Sequence, residues 1–248
     1  MITYKFDVDR ITDPGNVKTI NEDCCIVLEH DHLASSVVLV AVADGVGGMD
    51  HGEIASSMVC EALQQWWDKI DWASRQGLDA LMKSMSECIE QANEAIFRAN
   101  TKKGIQSCTT LTVLLLAHEG YRIYHVGDSR IYHIDAGMFG KIQALTEDHT
   151  KLMPKEVDGQ TVMKPYLTEC VGLQTRFQHQ ETGSTFEPGE IFVVCSDGIY
   201  KTIPDKEIGK IVRRQKSDVD KACYDLIVKA KNNGETDNLT AAVVRIIN

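Results

Sequence analysis

The chain has 248 residues, 43% of them hydrophobic and 25% charged, the balance of a globular protein that buries a core rather than of a disordered chain. Its 26 basic residues stand against 36 acidic ones, a formal charge of -10, which excludes a general affinity for nucleic acid or for an anionic membrane. No Pro/Gly/Ser-rich linker divides the chain, so one domain over residues 1–248 is expected. The N-terminus MITYKFDVDR lacks a basic region leading into an apolar core, and no apolar run nears the roughly 18 residues that span a bilayer. A cytoplasmic location follows as the expectation. Cysteines lie at positions 24, 25, 60, 88, 108, 170, 195 and 223, mostly in apolar runs and never as C-x-x-C, a pattern of reduced, buried thiols. Cys195, inside IFVVCSDG, reads as strand packing rather than as a nucleophile.

In chain order, Tyr4 to Thr12 alternates as a first strand and Asp13-Pro14-Gly15-Asn16 turns it. Asn21, Glu22 and Asp23 stand before the apolar run Cys24 to Leu28, and alternation places the two acids on opposite faces. The run Val37 to Ala43 contains no polar residue, which suits a strand covered on both faces, and it ends at Asp44-Gly45, with Gly47 and Gly48 following. A carboxylate at the end of a rigid strand beside bare backbone suits a hard cation; a simple Asp-Gly turn is the alternative. Ile54, Met58, Leu63, Trp66, Trp67 and Ile70 mark a helical face between Gly52 and Ile70. Leu78, Leu81, Met85, Cys88, Ile89, Ala92, Ile96 and Ala99 mark another that stops near Lys102-Lys103-Gly104.

From Thr109 to Leu145 the pattern turns to strands, TTLTVLLLA, YRIYHVG, RIYHI and KIQAL, whose short connections predict antiparallel neighbours; Asp128-Ser129 could serve as a hairpin turn or as part of a site. Thr146 to Arg176 has weak periodicity and reads as a loop or small flap. The strand Ile191 to Cys195 then ends in Ser196-Asp197-Gly198, echoing Ala43-Asp44-Gly45. A short helix follows Pro204-Asp205, and a longer one, capped by Ser217, stops at Asn233-Gly234. Glu235-Thr236-Asp237-Asn238 leads into a last strand, Leu239 to Ile246.

Glu22, Asp23, Asp44, Asp128, Asp197 and Asp237 thus all lie where an apolar strand meets a polar turn. Gathered together they would repel unless a cation joined them, and oxygen donors alone favour Mg2+ or Mn2+ over zinc. Taken singly, each is more often a solvated turn residue than a ligand.

The set GNVKTINED, VADGVGG, GDSR, TEDH, CSDG and ETDN, in this order over nearly the whole chain, resembles the metal-dependent serine/threonine protein phosphatases of type 2C, the PPM family, in its compact bacterial form. The resemblance implies an α+β fold, a four-layer α/β/β/α sandwich of two antiparallel sheets flanked by helix pairs. It implies two Mn2+ or Mg2+ ions, with Asp44 bridging them, Glu22 and the carbonyl of Gly45 completing one site, Asp197 and Asp237 holding the other, and Asp23 binding a coordinated water. A hydroxide shared between ions roughly 3.5 to 4 Å apart would attack phosphorus in line. Asp128 would help hold a third, weaker ion, a role that Lys201 opposes by standing where many relatives carry an acid. Lys18 replaces the usual phosphate-binding arginine and loses its bidentate fork. Val46 replaces a histidine proposed as general acid in eukaryotic members. His51 and His149 read as solvated or structural.

The expected activity is hydrolysis of phosphoserine and phosphothreonine on a protein substrate, opposing a bacterial Ser/Thr kinase, by a monomer that binds neither nucleic acid nor membrane. Two alternatives remain at this stage. Lys18 and Lys201 would suit a phosphatase fold kept as a binding module without catalysis, and a changed pocket would suit hydrolysis of small phosphate esters.

Overall fold

The computed structural model describes residues 4–31, 36–46, 51–74, 76–137, 140–157, 160–215 and 218–247. One sheet contains β2 (Asp23–His30), β3 (Val37–Asp44), β4 (Leu111–Ala117), β5 (Gly120–Val126) and β10 (Gln180–Ser184), in the order β10-β5-β4-β3-β2. The other contains β1 (Lys5–Asp13), β6 (Arg130–Ile134), β7 (Ile142–Ala144), β11 (Ile191–Cys195) and β12 (Leu239–Ile247), in the order β1-β12-β11-β6-β7. Every pairing in both is antiparallel.

The apolar patterning explains the stacking. Val38, Val40 and Val42 of β3 meet Phe192 and Val194 of β11 and Val244 of β12 in a core between the sheets. The alternate residues Leu39, Ala41 and Ala43 face outward into a second core with α1 (Gly52–Asp68) and α2 (Leu78–Lys103). Val193, Cys195, Ala241 and Val243 do the same on the far side against α3 (Asp197–Tyr200), α4 (Asp205–Arg214) and α5 (Val219–Asn232). Both central strands are therefore buried on both faces, as their unbroken Val-rich runs require. The result is the four-layer α/β/β/α sandwich that the resemblance implied.

Several local readings are corrected. Asp128-Ser129 is not a hairpin turn, because β5 and β6 belong to different sheets and this segment carries the chain from one to the other. The face that α1 buries runs through Ala55, Val59, Leu63 and Trp67, with Ser56 and Cys60, while Ile54 is exposed. Residues 146–176 hold an antiparallel hairpin of β8 (Thr150–Val157) and β9 (Gln160–Leu167), hidden in the sequence by Pro154 and Pro165. Strand β10 went unread: it carries almost no apolar residue and sits at a sheet edge. Asp218, whose side chain accepts from the Lys221 amide, caps α5; the Ser217 of the sequence reading, like Gly47 and Gly48, lies outside the described residues.

Candidate active site

The predicted acids come from both sheets and meet at one end of the sandwich. Asp23 opens β2 and Asp44 closes β3, and the antiparallel register sets them directly opposite one another. Asp197 follows β11, Asp237 precedes β12, and Asp128 lies on the passage between the sheets. Like charges placed opposite in a sheet are unfavourable, so this pair calls for a proton or a cation between its members.

The carboxyls register that crowding. Burial and then the charges of Asp23, Asp197, Asp128 and Asp237 push Asp44 well above the usual carboxylate range. Burial raises Asp23 to about 6, against the lowering effect of hydroxyl donors from Thr240 and Ser196. Asp128 is also lifted to about 6, by burial and by Asp197, with Lys201 pulling the other way. Burial raises Asp197 against the neighbouring Lys201 ammonium.

Backbone and side-chain hydrogen bonds fix these positions. The Glu22 amide donates to Asn238 Oδ1 at 2.9 Å, while its carbonyl accepts from Ser56 Oγ at 2.6 Å and from the Gly45 amide at 3.1 Å. Gly45 must be glycine, because a Cβ there would stand 2.5 Å from the Gly52 carbonyl carbon and 2.7 Å from the Glu22 oxygen. Asp23 Oδ2 accepts from Ser196 Oγ at 2.8 Å and Thr240 Oγ1 at 2.6 Å, which tie it to the opposite sheet. The Asp44 amide donates to Thr110 Oγ1 at 3.0 Å and its carbonyl accepts from the Thr110 amide at 2.9 Å. Asn238 Nδ2 donates to the carbonyls of Pro14 and Ile20, so the loop bearing Lys18 is anchored to the loop bearing Asp237.

The Asp128 passage has its own brace. Tyr200 Oη donates to the Asp128 carbonyl at 2.8 Å, and its ring carries the Arg130 guanidinium at 3.7 Å. Arg130 in turn grips Asp148 through two hydrogen bonds of 2.9 and 2.7 Å. His149 Nδ1 accepts from the Gly127 amide, which gives it the structural role expected of it. His51 is exposed and stands 3.3 Å from Glu53.

Two ammonium groups stand among these acids. Lys18 Nζ lies 3.4 Å from Asp237 Oδ1 and 3.8 Å from Glu22 Oε2. Lys201 Nζ contacts Asp197 Oδ2 directly and lies 4.0 Å from Asp237 Oδ2. Among the described residues no three of Asp, Glu, His and Cys close around a single point, and Asp197, Asp237 and Glu22 each lie within 4.0 Å of a lysine ammonium. The donor set nevertheless fits hard divalent cations: it is all oxygen, strongly anionic, and its buried carboxyls are pushed up by one another.

Sequence reasoning named the acids and missed their supports, Ser196, Thr240, Asn238, Thr110, Ser56 and Tyr200. Ser196 and Asn238 sit inside the CSDG and ETDN stretches and were within reach of a reading that asked what holds each acid. Thr110, Ser56 and Tyr200 carry no such signal.

A sandwich of this kind, with carboxylates delivered from both sheets to one end, is an arrangement that suits a metal-dependent phosphatase. The chain belongs to the protein phosphatase 2C family, whose pattern it matches over residues 16–239. It is 27% identical over 243 residues to the serine/threonine phosphatase stp of Listeria monocytogenes, covering 94% of this chain and 93% of that one. It is also 27% identical over 250 residues to the protein phosphatase PhpP of Streptococcus pneumoniae, covering 96% of both. The S. agalactiae serine/threonine phosphatase superposes with a TM-score of 0.82 at 25% identity, over 98% of this chain and 100% of that one. The chain is accordingly a metal-dependent protein-serine/threonine phosphatase.

Proposed function

We propose that Glu22, Asp44, the Gly45 carbonyl, Asp197 and Asp237 hold two divalent cations, Mn2+ or Mg2+, with Asp128 at the margin, and that a phosphoserine or phosphothreonine side chain is hydrolysed against them. When bound, the ions supply Lewis acidity, acidifying water and offsetting charge on the phosphoryl group. The chain's own residues do the rest. Asp44, opposite Asp23 and at the focus of four other acids, is the carboxylate that would serve both ions. Asp23, held by Ser196 and Thr240, would orient a water coordinated to the ions. Lys18, on a loop tied down through Asn238, presents its ammonium to the phosphoryl oxygens.

The register that sets Asp23 against Asp44, with Asp197 and Asp237 delivered from the other sheet, is the observation that carries this reading. Keeping every one of these acids favours an enzyme over a silent binding module. We assign the chain a phosphoprotein made by a Ser/Thr kinase as substrate, a single domain with the 150–167 hairpin as its flap, a monomeric state and a cytoplasmic place of action. No helix among the described residues is long and apolar enough to cross a membrane. The test is release of phosphate from a phosphothreonine peptide with Mn2+. Asp44→Asn should lower the rate at least about 100-fold, given the several kcal/mol that metal ions contribute to such transition states. Undiminished release would refute the assignment.

A further inference from the structure

Lys201 is the residue of the site that the phosphatase reading leaves without a task. It follows α3, four residues after Asp197, and its Nζ touches Asp197 Oδ2 and lies 4.0 Å from Asp237 Oδ2. Its charge is also felt at Asp128. One ammonium therefore faces acids from three separate segments of the chain, in the space where a divalent ion shared by Asp197 and Asp237 would sit. Asp197 has only 13% of its side chain exposed, whereas Lys201 has 46%, so the lysine can leave for water by rotating its own stem while the carboxylate stays. An ammonium and a divalent ion on the same carboxylate repel one another.

We propose that Lys201 is a tethered cation that fills the Asp197–Asp237 position and must swing out to admit a metal ion, so that it sets the affinity of that position. It is a positioning residue, acting on the carboxylates rather than on substrate. The inference rests on the two-ion reading above, and the experiment separates them.

Metal-free wild-type protein and Lys201→Met would be titrated with Mn2+ by calorimetry. Methionine keeps an unbranched stem and removes the charge, and the weaker of the wild-type affinities should tighten by about tenfold or more, the effect of deleting one unit charge at ion-pair distance. Lys201→Arg should stay near wild type. In parallel, wild-type protein would be acetylated with and without Mn2+ and the modified lysines counted by mass spectrometry. Labelling of Lys201 should rise when Mn2+ is present, while Lys83, exposed on α2, should not change. This second arm needs no variant to fold.

Unchanged Mn2+ affinity in Lys201→Met, or Lys201 labelling indifferent to Mn2+, overturns the inference and leaves two-ion binding intact. Mn2+ bound by Lys201→Met and not by wild type overturns both, because the native lysine would then exclude the ion rather than give way to it. No Mn2+ bound by either defeats both.

Discussion

At the scale of single residues, the site is a set of acids each bound to its place by a neutral partner. Thr240 and Ser196 illustrate the cost of losing one. Thr240→Val removes a 2.6 Å donor from a buried carboxylate and should destabilise the protein by about 1–3 kcal/mol, read as a lower denaturant midpoint at unchanged m. The opposite is expected at Asp44. Because its charge is opposed by burial and four neighbours, metal-free Asp44→Asn should melt higher than metal-free wild type while being inactive, at about 2–4 °C per kcal/mol for a chain of this length. A melt in which the variant is less stable than wild type would show that the acids do not repel. The acids were legible in the sequence because each ends an apolar run at a polar turn. Their supports were not, since a Thr inside TTLTVLLLA or LTAAVV differs in no local respect from a Thr that merely packs.

At the scale of elements, close backbone approach decides what the sequence can tolerate. Gly45→Ala would drive a methyl group into Gly52 and the Glu22 carbonyl, and a loss of about 1–3 kcal/mol together with most of the activity is expected, measured by thermal melt and phosphate release. The β8–β9 hairpin behaves differently. Every side chain from Lys151 to Glu156 and from Thr161 to Tyr166 is exposed, and none belongs to the three cores. Replacing residues 151–166 by a short Gly-rich link should therefore leave the melting temperature within a few degrees, a large fall being the contrary result. Strands β3 and β11 could be read because both faces are apolar; β10 could not, since QETGS has no apolar residue and holds its place by edge pairing with β5 and by the Gln180 side chain, which joins the Glu147 amide and the Leu145 carbonyl. The Asp128-Ser129 turn misled for a related reason: two strands three residues apart look like a hairpin unless their partners are known, and those partners lie far away in the chain.

At the scale of the whole molecule, the carboxylates span the seam between the sheets, so their repulsion acts to part the layers. Asp23 and Asp128, raised from 3.8 to about 6, hold protons in the folded state at a pH where the unfolded chain has released them. Their contribution is complete below about pH 4 and is lost as pH rises through about 6, on the order of 3 kcal/mol for Asp23 alone. Metal-free protein should accordingly melt lower at about pH 7.5 than at about pH 5, and a fixed concentration of Mn2+ should restore more at the higher pH, where it binds more tightly, the gain being about 2.7 kcal/mol wherever that concentration is a hundred times the dissociation constant. A metal-free melting temperature that rises over this interval would contradict the assignment.

The pairing of β1 with β12 along their whole lengths has an effect in time as well as in space. On the ribosome β1 finds its neighbour only once β12 has followed it, more than 200 residues later, and Asp237 arrives with that strand. A growing chain consequently carries no competent catalyst until β12 has been made, so a half-made domain has no activity to misdirect.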